Sequence, residues 1–401
     1  MIPYARPYWD RAEADALLAA LESGMWTGGG RVAEFEAEIE RLAGAPAVTM
    51  SSGTTAVHAL LHTIGAATNG PKLLVTPALT FAAAPAAAGL LGWDVALCDV
   101  TEDGLTADPA GIAELLGRVG HRYARIVVMP VHYAGHTADM PALTRVCAAA
   151  GADLVEDACH AIGARYDGTN VPVGAWPGTL ATYFSFHPTK PVACGEGGAV
   201  VTSSPELLAE LRALRNHNML PVSADDPGQD HDLAPWPYSV ATPGMNLRLS
   251  DLHSAIGTVQ ARRAPESRAD RARLAARYHA AFDGLPGLRT VPGTRRAHSA
   301  HHLFPVVFDL ALAGLSKRDL IGVLHDNGAR CQVHYTPLHR LPAFAGVPAA
   351  LRTGLDTTDA VFGGLVSLPL WRGLPDADQD LVIDVVTEIA HGKHSRGAHD
   401  D

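Results

Sequence analysis

The chain of 401 residues reads as an α/β protein: a large domain with a mostly parallel sheet between helices, then a smaller C-terminal α+β domain. Three observations predict this. From about Val48 to Val201, short and continuously apolar runs alternate with Ala/Leu-rich helical runs, the pattern of strands buried on both faces. The length exceeds one ordinary domain and suits a large domain plus a smaller one. After Met219 the composition shifts to a loop rich in Pro, Asp and Gly, followed from Ser250 by an Arg-rich helical segment.

The expected strands are, in order, "AVTM", "KLLVTP", "DVALCDV", "RIVVMPV", "ADLVEDA", "TLATYFSF" and "GAVVT". The expected helices between them are "TTAVHALLHTIGAA", "FAAAPAAAGLLG", "PAGIAELLGRVG" and "MPALTRVCAAAG". Pro85 falls in the first turn of the second helix, where its missing N–H is not needed. Beyond the loop, "HLFPVVFDL" and "ARCQVHYTPL" read as strands with helices between and after. The domains are expected over residues 14–245 and 246–392, with 393–401 a disordered tail.

A net charge of −11 makes the surface a poor partner for nucleic acid or an anionic membrane, so an anionic substrate must be held by a local site. Hydrophobic residues are 47% and charged residues 18%, as in a globular protein. No apolar run reaches the roughly 18 residues of a membrane helix, and the start lacks a signal-peptide pattern. A soluble, cytoplasmic protein is therefore expected. Five scattered cysteines without a C-x-x-C pair indicate neither a disulfide framework nor a zinc knuckle. "HYAGH" (His132, His136) holds its glycine in a loop, so helical metal-ligand geometry is not expected, and no metal is assigned. G-x-S-x-G, G-x-G-x-x-G and P-loop motifs are absent.

In a parallel sheet, ligands sit at the carboxyl ends of the strands. Asp157 ends an apolar strand there, as a structural cap or as a functional carboxylate, and His160 follows three residues later. "SSGTTAV", Ser51 to Val57, lies at a strand-to-helix junction. It is either a plain N-cap or a phosphate seat made of free backbone N–H groups and the helix dipole. The chain has 27 arginines and only four lysines, yet one of these, Lys190, stands between Pro188 and Pro191 in "TYFSFHPTKPVACGEGGAVVT". It is either a solvated loop lysine or an amine whose pKa is lowered by aromatic surroundings, as a Schiff-base nucleophile requires. Together these features are what pyridoxal 5'-phosphate needs: an amine for its aldehyde carbon, a carboxylate for its pyridine nitrogen and N–H donors for its phosphate.

The chain also resembles the DegT/DnrJ/EryC1/StrS sugar aminotransferases, a branch of the fold type I pyridoxal phosphate enzymes. The motifs "SGTTAV", "TPALTFAAA", "VEDACHAIGA", "FSFHPTKPVACGEGGAVVT", "LRALRNHNM" and "NLRLSDLHSAIGTVQ" stand in that family's order. With "VHYTPLH", they are most similar to the subgroup making UDP-4-amino-4,6-dideoxy sugars. The resemblance implies that Lys190 is the Schiff-base lysine, that Asp157 partners the pyridine nitrogen and that His160 contacts the 3'-oxygen side. It implies that Phe81 stacks on the ring, that Gly53, Thr54, Thr55 and Ser185 serve the phosphate, and that Asn246 reaches the phosphate of a neighbouring subunit. An obligate homodimer with shared active sites follows. Trp26, His187, His334 and Tyr335 are candidates for the substrate; Arg248 either contacts substrate or pairs with an acid.

Two departures stand out: "NGPKLLV" replaces the family's "GDEV" turn, and Phe81 stands where some relatives carry Trp or Tyr. The expected activity is transfer of an amino group, from an amino acid such as glutamate, to a nucleotide-linked 4-keto-6-deoxysugar. The alternatives are amination at C3 or of a cyclitol ketone, a sugar dehydratase, disfavoured because that branch replaces the lysine by histidine, and a non-catalytic cofactor-binding regulator.

Overall fold

Seven strands build the central sheet: β1 (Ala47–Met50), β2 (Lys72–Pro77), β3 (Asp94–Cys98), β4 (Arg125–Val128), β5 (Asp153–Asp157), β6 (Thr179–Ser185) and β7 (Gly198–Val201). They lie in a computed structural model that describes residues 1–221 and 238–393. Most of the Pro/Asp/Gly-rich loop and all but Lys393 of the expected disordered tail lie outside the described residues. The spatial order is β1-β7-β6-β5-β4-β2-β3, with β2 to β6 paired in parallel and β7 antiparallel to both β1 and β6. All seven expected strands are present, within three residues at their ends.

Helices cover both faces because alternate strand residues point to opposite sides. Leu73, Val75, Val128 and Leu154 meet α2 (Gly30–Ala43), α5 (Pro109–Val119) and α6 (Met140–Ala150) on one face. Leu74, Val127 and Val155 meet α3 (Gly53–Ala66), α4 (Ala83–Leu90) and α7 (Pro205–Leu214) on the other. Each fully buried Leu or Val there stabilises the fold by about 1.5–3 kcal/mol. The starts of these helices are written locally: the side chains of Asp108, Asp139 and Ser204 cap α5, α6 and α7, each followed by proline in the first turn. Pro85 is the third residue of α4, as its tolerance for a first turn requires.

At the other end, α1 (Arg11–Glu22) and α2 pack on α8 (Asp251–Arg262), which continues into α9 (Ala264–Phe282). A two-residue pair, β8 (Leu220–Pro221) and β9 (Tyr238–Ser239), stands on either side of residues 222–237. The C-terminal part holds an antiparallel sheet of β10 (Leu288–Thr290), β11 (Phe304–Phe308) and β12 (Leu365–Leu368). Its core joins Phe304 and Val306 to Leu274 and Tyr278 of α9, Leu320 of α11 (Lys317–Asp326), Val386 of α13 (Asp376–Ala390) and Ile2. The short helices α10 (Leu310–Ala313) and α12 (Asp356–Gly364) complete the order.

The expected strand "ARCQVHYTPL" does not form. That segment makes single bridges only, Ala329 to Ile2 and Gln332 to Ser367. Its residues Gln332 to Thr336 line a cavity instead of joining a ladder, and Pro337 has no N–H to offer one.

Candidate active site

The carboxyl ends of β2, β4, β5 and β6 open on a cavity of about 670 Å³, large enough for a cofactor together with part of a substrate. It gathers Gly53, Thr54, Phe81, Asp157, His160, Ser185, His187, Lys190, His334 and Tyr335 from distant parts of the chain.

The loop that carries Lys190 leaves β6 and returns to β7. It is closed by Cys194 N–H to Phe186 O at 3.0 Å and Phe186 N–H to Gly197 O at 2.8 Å, and tightened by Lys190 N–H to His187 O at 2.8 Å. Lys190 itself is half-buried in the wall. Burial lowers its pKa below that of a free lysine, against the opposing pull of Cys159 and Asp157. A lowered pKa favours the free amine, the form a nucleophile requires.

Asp157 ends β5 with only 7% of its surface exposed. One carboxylate oxygen accepts from the Cys159 N–H at 3.0 Å, and the other accepts from the Tyr183 hydroxyl. Tyr183 stands directly across the β5–β6 pair. The acid is thus oriented from both sides, and it faces the cavity.

His160 accepts from the Ala134 N–H at its Nδ1, 3.3 Å away, so its proton is on Nε2, 2.8 Å from the Tyr335 hydroxyl. Burial, with Lys190 adding to it, holds the His160 pKa well below the usual histidine range. The neutral ring therefore donates to the Tyr335 oxygen, which leaves the Tyr335 O–H free to donate to a ligand. The exposed Phe81 ring lies 5.7 Å from the Tyr335 ring, at the cavity's edge. His334 is tied to Ser367 at 2.9 Å, and burial depresses its pKa to about 3.

At the start of α3, the Ser52 hydroxyl accepts from the Thr55 N–H and the Thr55 hydroxyl accepts from the Ser52 N–H. That leaves the first-turn N–H groups of Gly53 and Thr54 without an intrahelical acceptor. Thr55 caps the helix and does not line the cavity. The glycines make this approach possible. A Cβ on Gly198 would meet the Ser52 carbonyl oxygen at 2.3 Å, and one on Gly53 would meet the Ser185 Cβ at 2.8 Å. Amine, carboxylate and N–H donors around one cavity fit the aldehyde, the ring nitrogen and the phosphate of pyridoxal phosphate respectively.

Trp26, Asn246 and Arg248 lie outside this cavity in the single chain. Arg248 lines a second depression of about 670 Å³ with Thr27, Gly28, Arg212, Arg215 and Asn216. It donates to Asn216 at 2.5 Å, while Asn246 is exposed and bridges Asn216 through the backbone. His132 and His136 are engaged elsewhere: His132 lies 2.5 Å from Glu156, and His136 lies 2.6 Å from the Gly104 carbonyl. Among the described residues, no group of three His, Cys, Asp or Glu side chains could hold a metal, and no helix is long and apolar enough to cross a membrane.

Sequence reasoning missed Tyr183 and Tyr4. The signal for Tyr183 was available: it stands two residues before Ser185 on β6 and so shares its face. Tyr4 comes from the N-terminal segment, pinned by Ile2 N–H to Gly328 O at 2.7 Å, and only the tertiary structure brings it to the site.

Residues 7–387 match the model of the DegT/DnrJ/EryC1/StrS aminotransferase family. The spore coat polysaccharide biosynthesis protein SpsC of Bacillus subtilis (strain 168) is 30% identical over 395 residues, spanning 98% of this chain and 97% of SpsC. DesI, solved in the presence of its TDP-sugar product, aligns with a TM-score of 0.83 at 29% identity, covering 98% of this chain and 94% of DesI. Spr1654 from Streptococcus pneumoniae, in its PMP form, aligns at 0.84 and 25% identity over 97% of this chain and 99% of that one.

Proposed function

This chain belongs to the DegT/DnrJ/EryC1/StrS aminotransferase family, and from that premise we propose that it aminates C4 of a nucleotide-linked 4-keto-6-deoxysugar with glutamate as donor, working as a homodimer. It is a pyridoxal-phosphate-dependent sugar aminotransferase. The observation that carries the proposal is the meeting of the Lys190 amine, the Asp157–Tyr183 pair and the open start of α3 around one cavity. That DesI has a TDP-sugar product supports a nucleotide-linked substrate. Asn246, exposed and outside its own chain's cavity, supports a role in a partner's site.

When bound, the cofactor supplies a carbonyl carbon that carries the amino group and a ring that withdraws electrons from the reacting carbon. Lys190 would hold the cofactor through its amine, and its Nζ would move a proton to and from the donor's α-carbon. Asp157, held by Tyr183 and Cys159, would keep a proton on the ring nitrogen. The Gly53 and Thr54 N–H groups would hold the phosphate, and Phe81 would pack against the ring. Tyr335 O–H donates to a sugar oxygen, and His160 fixes its direction.

The test is to purify the protein with cofactor and treat it with borohydride. Cofactor mass retained on the Lys190 peptide, and its loss in Lys190→Ala, is the expected result; a protein that takes up no cofactor overturns the reading. A panel of UDP- and TDP-linked 3- and 4-ketosugars, scored by glutamate-dependent product, then identifies the substrate. Turnover confined to 3-ketosugars would reject C4.

A further inference from the structure

Behind the Lys190 loop lies a second, smaller cavity, lined by Arg6, Arg263, Arg271 and Arg372 together with Lys190. One of these, Arg271 of α9, is only 4% exposed. The Arg271 Nη1 donates to the Leu370 carbonyl at 2.8 Å and the His302 carbonyl at 3.4 Å, but its Nε is buried with no hydrogen-bond partner among the described residues. Burial lowers its pKa to about 10, which leaves it cationic at neutral pH.

The acids nearby are committed elsewhere. Asp270, which acts on Arg271 through space, is paired with Arg273 at 3.1 Å. Asp10 and Glu13 hold Arg263, and Glu266 holds Arg372 at 2.8 Å. Arg6 lies over the Trp371 ring at 6.0 Å, and Arg372 over the Tyr8 ring at 4.2 Å. A buried guanidinium with two carbonyls and no carboxylate is costly unless a counter-charge arrives. The free space is about 10 Å³, enough for one water-sized group and too small for sulfate or a phosphate ester.

We propose that this cavity binds a small monatomic anion, a halide, between Arg271 and Arg6 on the far side of Lys190. An anion there lies against the wall that carries the reacting amine, so its binding reaches the main site. The anion site does not rest on the reading of Lys190 above.

The experiment uses the holoprotein, with thermal unfolding in potassium chloride, potassium formate and potassium sulfate for wild type, Arg6→Gln and Arg271→Lys. Chloride should raise the wild-type midpoint by about 2 °C and leave both variants unmoved, and formate, too large for the space, should act on all three alike. Sulfate, acting by exclusion from the surface, should shift all three alike. Arg6 is exposed, so its variant reports even if Arg271→Lys fails to fold. An equal chloride response in wild type and Arg6→Gln overturns the site. A wild type that takes up no cofactor sinks the reading of Lys190, while the unfolding measurements still decide the anion site.

Discussion

Tyr183 and Asp157 face each other across the β5–β6 pair, and the tyrosine hydroxyl donates to the carboxylate at the cavity wall. Tyr183→Phe keeps the ring, which is 1% exposed, and removes only that donor. A hydrogen bond to a charged group is worth about 1.5–3 kcal/mol, so kcat should fall roughly ten- to a hundredfold with the fold intact by circular dichroism. Unchanged turnover would mean that Asp157 is oriented by the Cys159 N–H alone.

Tyr335 can donate only outward, because its oxygen already accepts from His160. Tyr335→Phe should therefore leave cofactor binding in place and lower kcat/KM for the ketosugar by about tenfold. Cofactor titration and steady-state kinetics check the two halves separately. A variant that loses cofactor instead would place Tyr335 on the cofactor.

Gly198 lets the start of α3 approach β7, since a Cβ there would stand 2.3 Å from the Ser52 carbonyl oxygen. Gly198→Ala should cost about 1–3 kcal/mol in stability through overpacking. It should also weaken cofactor affinity, because the displaced atoms precede the Gly53 and Thr54 N–H groups. Denaturant unfolding and absorbance titration read the two effects.

Buried histidines set the acid limb of stability. Burial lowers the pKa to about 3 for His136 and His334 and about 4 for His279 and His301, against an ordinary 6.5. Between those values the unfolded chain binds more protons than the folded one. Stability should therefore fall as the pH drops from 6.5 toward 4, by up to about 1.4 kcal/mol per pH unit for each histidine that stays neutral in the fold. Unfolding midpoints that stay flat from pH 6.5 to 4.5 would refute this.

The shared-site proposal makes its own prediction. Lys190→Ala and Asn246→Ala, each inactive or nearly so alone, should regain about a quarter of wild-type activity when unfolded and refolded together, because half the dimers carry one intact site of two. A mixture no more active than its parts would confine each site to one chain.

Much of this was readable from residues alone. "ADLVEDA" announced a strand ending in an acid, and "SSGTTAV" announced a capped helix start, because alternation and capping are local properties. "ARCQVHYTPL" misled for the same reason: its β-like composition said nothing of the cavity that its side chains line.

Local patterning thus established the order of strands and helices, their buried faces and the chemistry at each strand end, since period and cap depend on neighbours a few residues apart. It also singled out Lys190, through its rarity and its prolines. What it could not carry was pairing. The β1-β7-β6-β5-β4-β2-β3 order sets Tyr183 against Asp157, and the packing of the two parts of the chain brings Tyr335 to His160 and seats Arg271 behind Lys190. Those contacts join residues up to 175 positions apart, and the long-range burial that closes them exists only in the folded chain.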